Sequence, residues 1–375
     1  MKKRSFAVFG ICSGILLLLG ADPKRPAAQD DSTHFRVNVV LVQLNVAVTD
    51  HKGNYIGGLR PQDFVVTEDK IPEHISTFEE GTAGAQPVAD SGARSAPATG
   101  AAAPAQPEPV AEAAAGAVGS SAGSDVQVSH AEGANVFILF DTSNYMYRQF
   151  VFAQDAIADF VRSMDDASRI AFYSYSRNLS RAAALTTDRY RVVNGVRSTV
   201  AGDDAALYNS LLLTVEDAAR LKGRKAIVVF SNGPDNASSV PPEDVAELAQ
   251  STGTIIYIIS TRLAQAEPVS AAAFVRMSKA TGGRAYFAGN WRQEQQAFTS
   301  IREDLSHLYT LSYYPQPNPN RGWRTIKVQL VGKDLQKYHI RTRDGYRLLP
   351  HIALADDNDI ASTPESAPAP DPDPK

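Results

Sequence analysis

The stretch Asn135-Val-Phe-Ile-Leu-Phe-Asp141 decides the fold class of this chain. Its short run of consecutive apolar residues, bounded by polar ones, is typical of a strand buried on both faces of a parallel sheet. The following segment, 150–164, spaces its apolar side chains along one face of a helix. A buried strand followed directly by an amphipathic helix is the unit from which helix-covered parallel sheets are built.

This unit recurs along the next part of the chain. Further strands are predicted at 169–175, 225–230, 254–259 and 284–287, and further helices at 207–221, 245–252, 274–280 and 293–308. Strands that alternate with helices at this spacing predict an α/β fold with a doubly wound, mostly parallel, Rossmann-like sheet. We assign residues 134–308 to this domain.

On both sides of the α/β domain the pattern changes to the two-residue period of half-buried strands. Within residues 34–80 the run from Phe35 to Thr49 alternates and is rich in β-branched side chains, and residues 309–349 contain further short strands. We expect the two segments to pair into one small antiparallel β unit. The α/β domain would then be inserted in this unit or flanked by it.

Two segments have the composition of disordered chain. Residues 81–133 are dominated by Ala, Pro, Gly and Ser, and residues 350–375 by Ala, Ser, Pro and Asp. Such segments bury too little apolar surface to offset the entropy lost on ordering the backbone. We therefore predict a disordered linker at 81–133 and a disordered tail at 350–375.

The amino terminus has the form of a secretory signal peptide. Met1-Lys-Lys-Arg4 is basic, residues 6–19 are apolar, and Gly20-Ala21 offers small residues for cleavage. We expect residues 1–21 to direct export by the Sec route to the periplasm or the extracellular space, and an uncleaved N-terminal anchor is the alternative. No other apolar run is long enough to cross a bilayer, so we expect no membrane span after cleavage.

Composition and motifs exclude several function classes. The net charge of -4 and the dispersed Lys and Arg residues argue against nucleic-acid binding. The only cysteine, Cys12, lies in the signal, so the mature chain would have no disulfide and no thiol chemistry. Dinucleotide and P-loop motifs are absent from the sequence.

Polar residues cluster where ligands bind in doubly wound sheets, beyond the carboxyl ends of the strands. Asp141-Thr-Ser-Asn-Tyr145 follows the first buried strand, and Ser231-Asn-Gly-Pro-Asp-Asn236 follows the third. Gly202-Asp-Asp-Ala-Ala206 precedes the helix at 207–221. Because parallel strands end at one edge, we expect these three segments to meet there.

These motifs, with the helix start Ala206-Leu-Tyr208, resemble a von Willebrand factor A-type domain. The chain looks closest to the exported "VWFA-related" proteins of Acidobacteria. Residues 48–53 and 63–69 resemble that family's leading β unit, and Leu311-x-Tyr-Tyr-Pro315 and Arg343-x-Gly-Tyr346 resemble its closing one. The resemblance covers residues 35–347 apart from the linker.

The resemblance implies a metal-ion-dependent adhesion site, in which Asp-x-Ser-x-Ser, a Thr and an Asp before Gly hold Mg²⁺ or a similar hard cation. Asp141 and Ser143 match this pattern. Tyr145 stands in place of the second Ser, Ala205 in place of the Thr, and Asn232 in place of the second Asp. Hard cations need oxygen ligands, so we expect the site to be weak or lost.

The candidate metal ligands are therefore Asp141 and Ser143, to which Asp204 and Asn232 could be added. A divalent cation such as Mg²⁺ would bind weakly there. The candidate partner-binding residues are Asp141, Ser143, Asn144, Tyr145, Asp203, Asp204, Asn232 and Asp235. A structural explanation of equal simplicity is that Asp141 and Ser143 cap a helix and that Asn232 and Asp235 form Asx turns.

These observations predict a non-enzymatic binding module, an exported domain that recognises a protein or cell-envelope partner from the top of its sheet. One alternative is a cation-dependent hydrolytic enzyme that uses Asp141 and Asp235. The other is a purely structural component of the envelope. Loss of partner capture on mutating the loop at Asp141 separates binding from the structural alternative.

Overall fold

The computed structural model describes residues 41–81, 86–88, 133–164 and 168–348. The predicted signal peptide at 1–21, nearly all of the linker and the tail at 350–375 lie outside the described residues, as does the start of the predicted strand at Phe35. Within the described ranges, no helix has both the length and the apolar character needed to cross a bilayer.

The chain alternates between a β-rich part and an α/β part. The strands are β1 (Val42–Thr49), β2 (Phe64–Glu68), β3 (Ile71–Glu73), β4 (Ile75–Glu80), β5 (Gln86–Pro87), β6 (Asn135–Asp141), β7 (Arg169–Tyr175), β8 (Leu179–Thr186), β9 (Lys225–Ser231), β10 (Thr254–Ser260), β11 (Ala285–Phe287), β12 (Tyr309–Tyr313), β13 (Trp323–Leu330), β14 (His339–Arg341) and β15 (Gly345–Arg347). The α-helices are α1 (Phe150–Ser163), α2 (Arg189–Arg197), α3 (Leu207–Ala219), α4 (Pro242–Thr252), α5 (Pro268–Ala280) and α6 (Trp291–His307).

The α/β part is built on a six-stranded sheet with the order β11-β10-β9-β6-β7-β8. Its strands are parallel except β8, which runs antiparallel to β7 at the edge. The chain winds outward in both directions from the neighbours β6 and β9, which places their carboxyl ends side by side. The predicted doubly wound, mostly parallel α/β fold is confirmed.

Successive side chains of β6 point to opposite faces of the sheet, and both faces are covered by helices. Val136, Ile138 and Phe140 belong to the core beneath α1, α2 and α6. Phe137 and Leu139 belong to the core beneath α3, α4 and α5. All of these side chains are fully buried, and burying each contributes about 1.5–3 kcal/mol.

The β-rich part is made of two packed sheets, with the orders β14-β1-β12-β4-β5 and β15-β13-β2-β3. Strands from the two ends of the described chain alternate within them: β12 lies between β1 and β4, and β13 pairs with β2. We call this part the sandwich. Its core contains Leu44, Val66, Leu311 and Val328. The α/β part is therefore inserted between β5 and β12 of the sandwich.

Buried polar side chains join the sandwich to the lower end of α6. Asp304, 1% exposed, accepts hydrogen bonds from the hydroxyls of Tyr55 at 2.9 Å and Tyr257 at 2.7 Å. The Arg341 guanidinium pairs with the same carboxylate at 2.5 Å. Tyr55 and Arg341 belong to the sandwich part, so this cluster fixes the two parts to each other.

Candidate functional site

Asp141 ends β6 at the carboxyl edge of the sheet and is completely buried. Its Oδ1 accepts a hydrogen bond from the Ser143 backbone N–H at 2.9 Å. Burial raises the pKa of the Asp141 carboxyl, while the hydrogen bonds it accepts act in the opposite direction. The first of these contacts is a local turn, as the structural explanation of this motif expects.

Ser231 at the end of β9 supplies the second hydrogen bond to Asp141. Its Oγ donates to Asp141 Oδ2 at 2.8 Å, and accepts from the Tyr175 hydroxyl at 3.2 Å and the Gly233 N–H at 3.1 Å. Gly233 has a φ of 115°, a conformation that favours glycine. Three adjacent strands thus hold the Asp141 carboxylate in one orientation.

Asn232 connects the loop after β9 to the loop after β6. Its Nδ2 donates to the Tyr145 carbonyl oxygen at 2.5 Å. Two buried atoms here have no hydrogen-bond partner, the Asn232 Oδ1 and the Ser143 Oγ. Asn232 is 1% exposed and Ser143 is fully buried, so both unpartnered oxygens are shielded from solvent.

The segment 202–206 packs against the loop after β6 through its backbone. The Gly202 N–H donates to the Thr142 carbonyl at 2.7 Å, and the Asn144 N–H donates to the Asp203 carbonyl at 2.9 Å. A side chain at Gly202 would lie 2.4 Å from Ser176 Oγ, so only glycine allows this approach. The segments 141–147, 202–206 and 231–238 therefore meet, and we call them the top loops.

Asp204 and Asp235 have structural partners within the top loops. Asp204 pairs with Arg177 at 2.5 Å and accepts from Asn236 Nδ2 at 3.2 Å, and these contacts lower its pKa, the Arg177 hydrogen bond most. Asp235 accepts from the Tyr208 N–H at 3.0 Å in the first turn of α3 and from Ser238 Oγ at 2.6 Å. Asp235 thus caps α3 from a distance, and neither carboxylate is free for a ligand.

The residues present do not fit a divalent cation of the kind that the resemblance implies. Asp141 is the remaining carboxylate of the expected set, and both of its oxygens accept hydrogen bonds within the fold. Ser143 Oγ and Asn232 Oδ1 add only two neutral oxygens. A hard cation prefers about six oxygens with more than one carboxylate. This donor set suits a neutral hydrogen-bonding group such as water, which takes about three partners.

Around this buried centre the surface is aromatic. Tyr145 is 40% exposed and Tyr147 55% exposed, and the Tyr147 hydroxyl donates to the Gly202 carbonyl at 3.3 Å. Asn144 and Asp203 are also exposed. Of the residues predicted to bind a partner, Asn144, Tyr145 and Asp203 are thus accessible, whereas Asp141, Ser143 and Asn232 are buried beneath them.

Several residues at this edge were not predicted from the sequence. Ser231, which orients Asp141, begins one of the quoted motifs but was not among the predicted site residues. Tyr147, which presents an exposed ring, lies two residues after the motif that ends at Tyr145. A cavity of about 450 Å³ is lined by residues of the sandwich loop 315–324 and by none of the top loops. The top loops form an exposed aromatic surface over a polar centre.

Three solved structures are similar to this chain at low sequence identity. BatB from Bacteroides thetaiotaomicron is 15% identical with a TM-score of 0.38, over 46% of this chain and 98% of that one. The vWF domain of the type V pili tip protein Mfa5 from Porphyromonas gingivalis is 12% identical with a TM-score of 0.39, over 46% and 94%. A von Willebrand factor type A protein from Catenulispora acidiphila is 11% identical with a TM-score of 0.39, over 63% and 70%.

No curated protein matches this chain. The more specific resemblance to exported proteins of Acidobacteria stays a prediction. The family model of the von Willebrand factor type A domain, however, matches residues 135–300, the range that holds the six-stranded sheet and the top loops. Residues 135–300 of this chain therefore form a von Willebrand factor type A domain.

Proposed function

We propose that this protein is an exported binding module that recognises a protein or cell-envelope partner through its top loops, without a metal ion. The observation that carries the proposal is the pair of exposed rings, Tyr145 and Tyr147, set over an Asp141 centre that hydrogen bonds hold in place. Tyrosine is among the residues that contribute most to protein interfaces.

The hydrogen bonds and burial of the carboxylates in the top loops support binding rather than catalysis. A general base or nucleophile must have a reactive atom that reaches the substrate. Asp141 is completely buried, and the Asp235 carboxylate accepts hydrogen bonds from Tyr208 and Ser238. The two carboxylates of the hydrolytic alternative therefore have structural tasks. We expect no turnover of phosphate or ester substrates that Asp141→Ala would abolish.

Export is the second part of the proposal, and the basic and apolar segments within residues 1–21 support it. A mature envelope or extracellular protein without cysteine must be stable through its core alone. The sheet of this domain, buried on both faces, is suited to that. N-terminal sequencing of the protein from the source cell tests the signal: a mature chain that begins near Asp22 supports export, and an intact Met1 in the cytoplasm contradicts it.

The binding proposal is tested by capture from the envelope fraction of the source cell, using the mature chain as bait with Mg²⁺ or with EDTA. We expect one partner to be captured equally in both buffers. Tyr145→Ala and Tyr147→Ala should each weaken capture about tenfold, the effect of truncating an interface aromatic.

The matched control is Tyr190→Ala, because the Tyr190 ring is 81% exposed and lies far from the top loops. Tyr190 is near the start of α2, and α2 follows the antiparallel strand β8, so it begins at the opposite edge of the sheet. Capture that requires Mg²⁺ would contradict a metal-independent surface. Capture that is equal in all three tyrosine variants would show that the top loops are not the binding surface.

A further inference from the structure

Glu294 in the first turn of α6 is a buried carboxylate that nothing in the proposed binding surface uses. It is 3% exposed, and among the described residues its carboxylate has no hydrogen bond and no ion pair. Burial alone raises its pKa, since no cation or donor opposes the desolvation. A buried charge without a partner is costly, so its presence requires an explanation.

The position of Glu294 follows from the packing of α1 against α6. The rings of Phe160 and Phe298 lie 4.8 Å apart between the two helices. Both helices follow parallel strands and start at the carboxyl edge of the sheet. Phe152 lies in the first turn of α1 and Trp291 begins α6, so both lie at the ends of these helices that border the carboxyl edge of the sheet. Glu294 lies one turn above Phe298 on the same face of α6.

The rim of the groove between these helix ends is apolar and exposed. Phe152 is 65% exposed, Trp291 55% and Leu263 50%. Leu263 belongs to this rim because a side chain at Gly289, two residues before Trp291, would lie 3.2 Å from it. The Trp291 ring already makes a cation–π contact, with the Arg292 guanidinium 5.0 Å from the ring centre. An unpaired anion inside an aromatic rim is complementary to a long side chain with a cationic head.

We propose that the groove between the N-terminal ends of α1 and α6 binds a basic side chain, lysine or arginine, of a partner protein, with Glu294 as its counter-ion. Phe152, Leu263 and Trp291 pack against the methylene groups of that side chain. The inference rests on the proposed function, because it takes the top of this domain to be the binding surface.

A fluorescence titration tests the groove directly. The chain has two tryptophans, so Trp323→Phe leaves Trp291 as the sole reporter in the full-length protein. The probes are an amphipathic helical peptide of leucine and lysine and its counterpart of leucine and glutamate. We expect the lysine peptide to change Trp291 emission saturably and the glutamate peptide to have no effect.

Glu294→Gln should weaken binding of the lysine peptide about tenfold, the loss expected for one charged hydrogen bond. The matched control is Glu303→Gln, which removes the same charge from an exposed position of α6 and should change affinity less than twofold. Equal weakening in both variants would mean unspecific attraction and would overturn the proposal, as would the absence of any response to the lysine peptide.

Thermal unfolding supplies a second readout. If Glu294 serves a partner rather than the fold, Glu294→Gln should unfold at or above the temperature of the wild type, and a loss of several degrees would contradict this role. Capture from the envelope fraction separates the two proposals. A partner retained by Glu294→Gln but lost by Tyr147→Ala overturns the basic-side-chain inference alone, whereas no captured partner at all overturns the proposed function.

Discussion

Restoring the missing ligands should create a dependence on Mg²⁺ that the natural chain lacks. The perturbation is the double substitution Tyr145→Ser with Asn232→Asp, which adds a hydroxyl and a carboxylate beside Asp141 and Ser143. Ala205→Thr, added third, completes the set of ligands that the family pattern contains. Each change addresses one of the three positions at which the donor set fails to fit a cation.

The expected size of the effect follows from ligand linkage. The natural site offers two neutral oxygens and one hydrogen-bonded carboxylate. If it bound Mg²⁺ with a dissociation constant of about 10 mM, 1 mM Mg²⁺ would stabilise the folded protein by about 0.06 kcal/mol. That shifts unfolding by well under about 1 °C. A restored site with a dissociation constant of about 0.1 mM would be stabilised by about 1.4 kcal/mol, or about 3–6 °C for a domain of this size.

The assay is thermal unfolding followed by circular dichroism, in 1 mM Mg²⁺ and in EDTA. In EDTA the double variant should be less stable than the wild type by about 1 kcal/mol, because Asn232 Nδ2 no longer donates to the Tyr145 carbonyl. Adding Ser143→Ala to the double variant should abolish its response to Mg²⁺. A wild-type shift of several degrees in Mg²⁺ would refute the reasoning, because it would require a cation site that the donor set does not support.

Two further predictions concern the lower end of the domain. Asp304→Asn should lower the free energy of unfolding by about 3–5 kcal/mol in urea denaturation, because Arg341 loses the carboxylate that it pairs with. The control Ser306→Ala, at an exposed position of the same turn, should change this free energy little. Equal effects of the two substitutions would contradict the role of Asp304 in joining α6 to the sandwich. Burial lowers the pKa of Lys225 from 10.5 to about 8, so between pH 8 and 10.5 the unfolded protein binds more protons at Lys225 than the folded protein does. Over this pH range the free energy of unfolding should therefore rise by about 3 kcal/mol relative to that of Lys225→Met. A difference between the two proteins that does not change with pH would contradict this.

The fold was largely predictable because its strands are short, apolar and bounded by polar residues. Residues 135–141 are buried on both faces of the sheet, as their short apolar run bounded by polar residues predicted. The strand β8 and the helix α2 were not predicted. β8 contains Arg181-Ala-Ala-Ala184 at the sheet edge, where neither alternation nor β-branched residues mark a strand. In α2, a cap at Asp188 precedes few buried side chains.

The site was predictable in its location and not in its contacts. Strand ends identified the segments that meet, but the hydrogen bond from Ser231 to Asp141 joins residues from two strands. Spacing along the chain cannot reveal such a pair, nor the contact between Arg177 and Asp204. For Glu294 the sequence did contain a signal. It occupies the same helical stripe as the buried Phe298 and Ile301, where a carboxylate interrupts a mostly apolar face.

The orientation of the helices explains why four cationic side chains lie at the lower ends of the helices. Four of the lower helix ends receive a cationic side chain: Lys225 binds the Leu221 carbonyl after α3, Arg343 the Gln250 carbonyl in α4, Arg341 the Gly282 carbonyl after α5, and Arg224 the Leu305 carbonyl in α6. These contacts satisfy free carbonyls at the negative ends of the helix dipoles.

Two of these cations, Arg341 and Arg343, belong to the sandwich. The hydrogen bonds that satisfy the free carbonyls of α4 and α5 therefore also attach the α/β part to the sandwich. The positive helix ends then point to the opposite edge. There Asp235 caps α3, and Glu294 lies in the first turn of α6, where a helix dipole contributes about 0.3–1 kcal/mol to a carboxylate. That contribution lowers the cost of keeping Glu294 without a partner but does not cancel it. The remainder is what a cationic side chain of a binding partner would recover, and this is why we place recognition at the top of the domain.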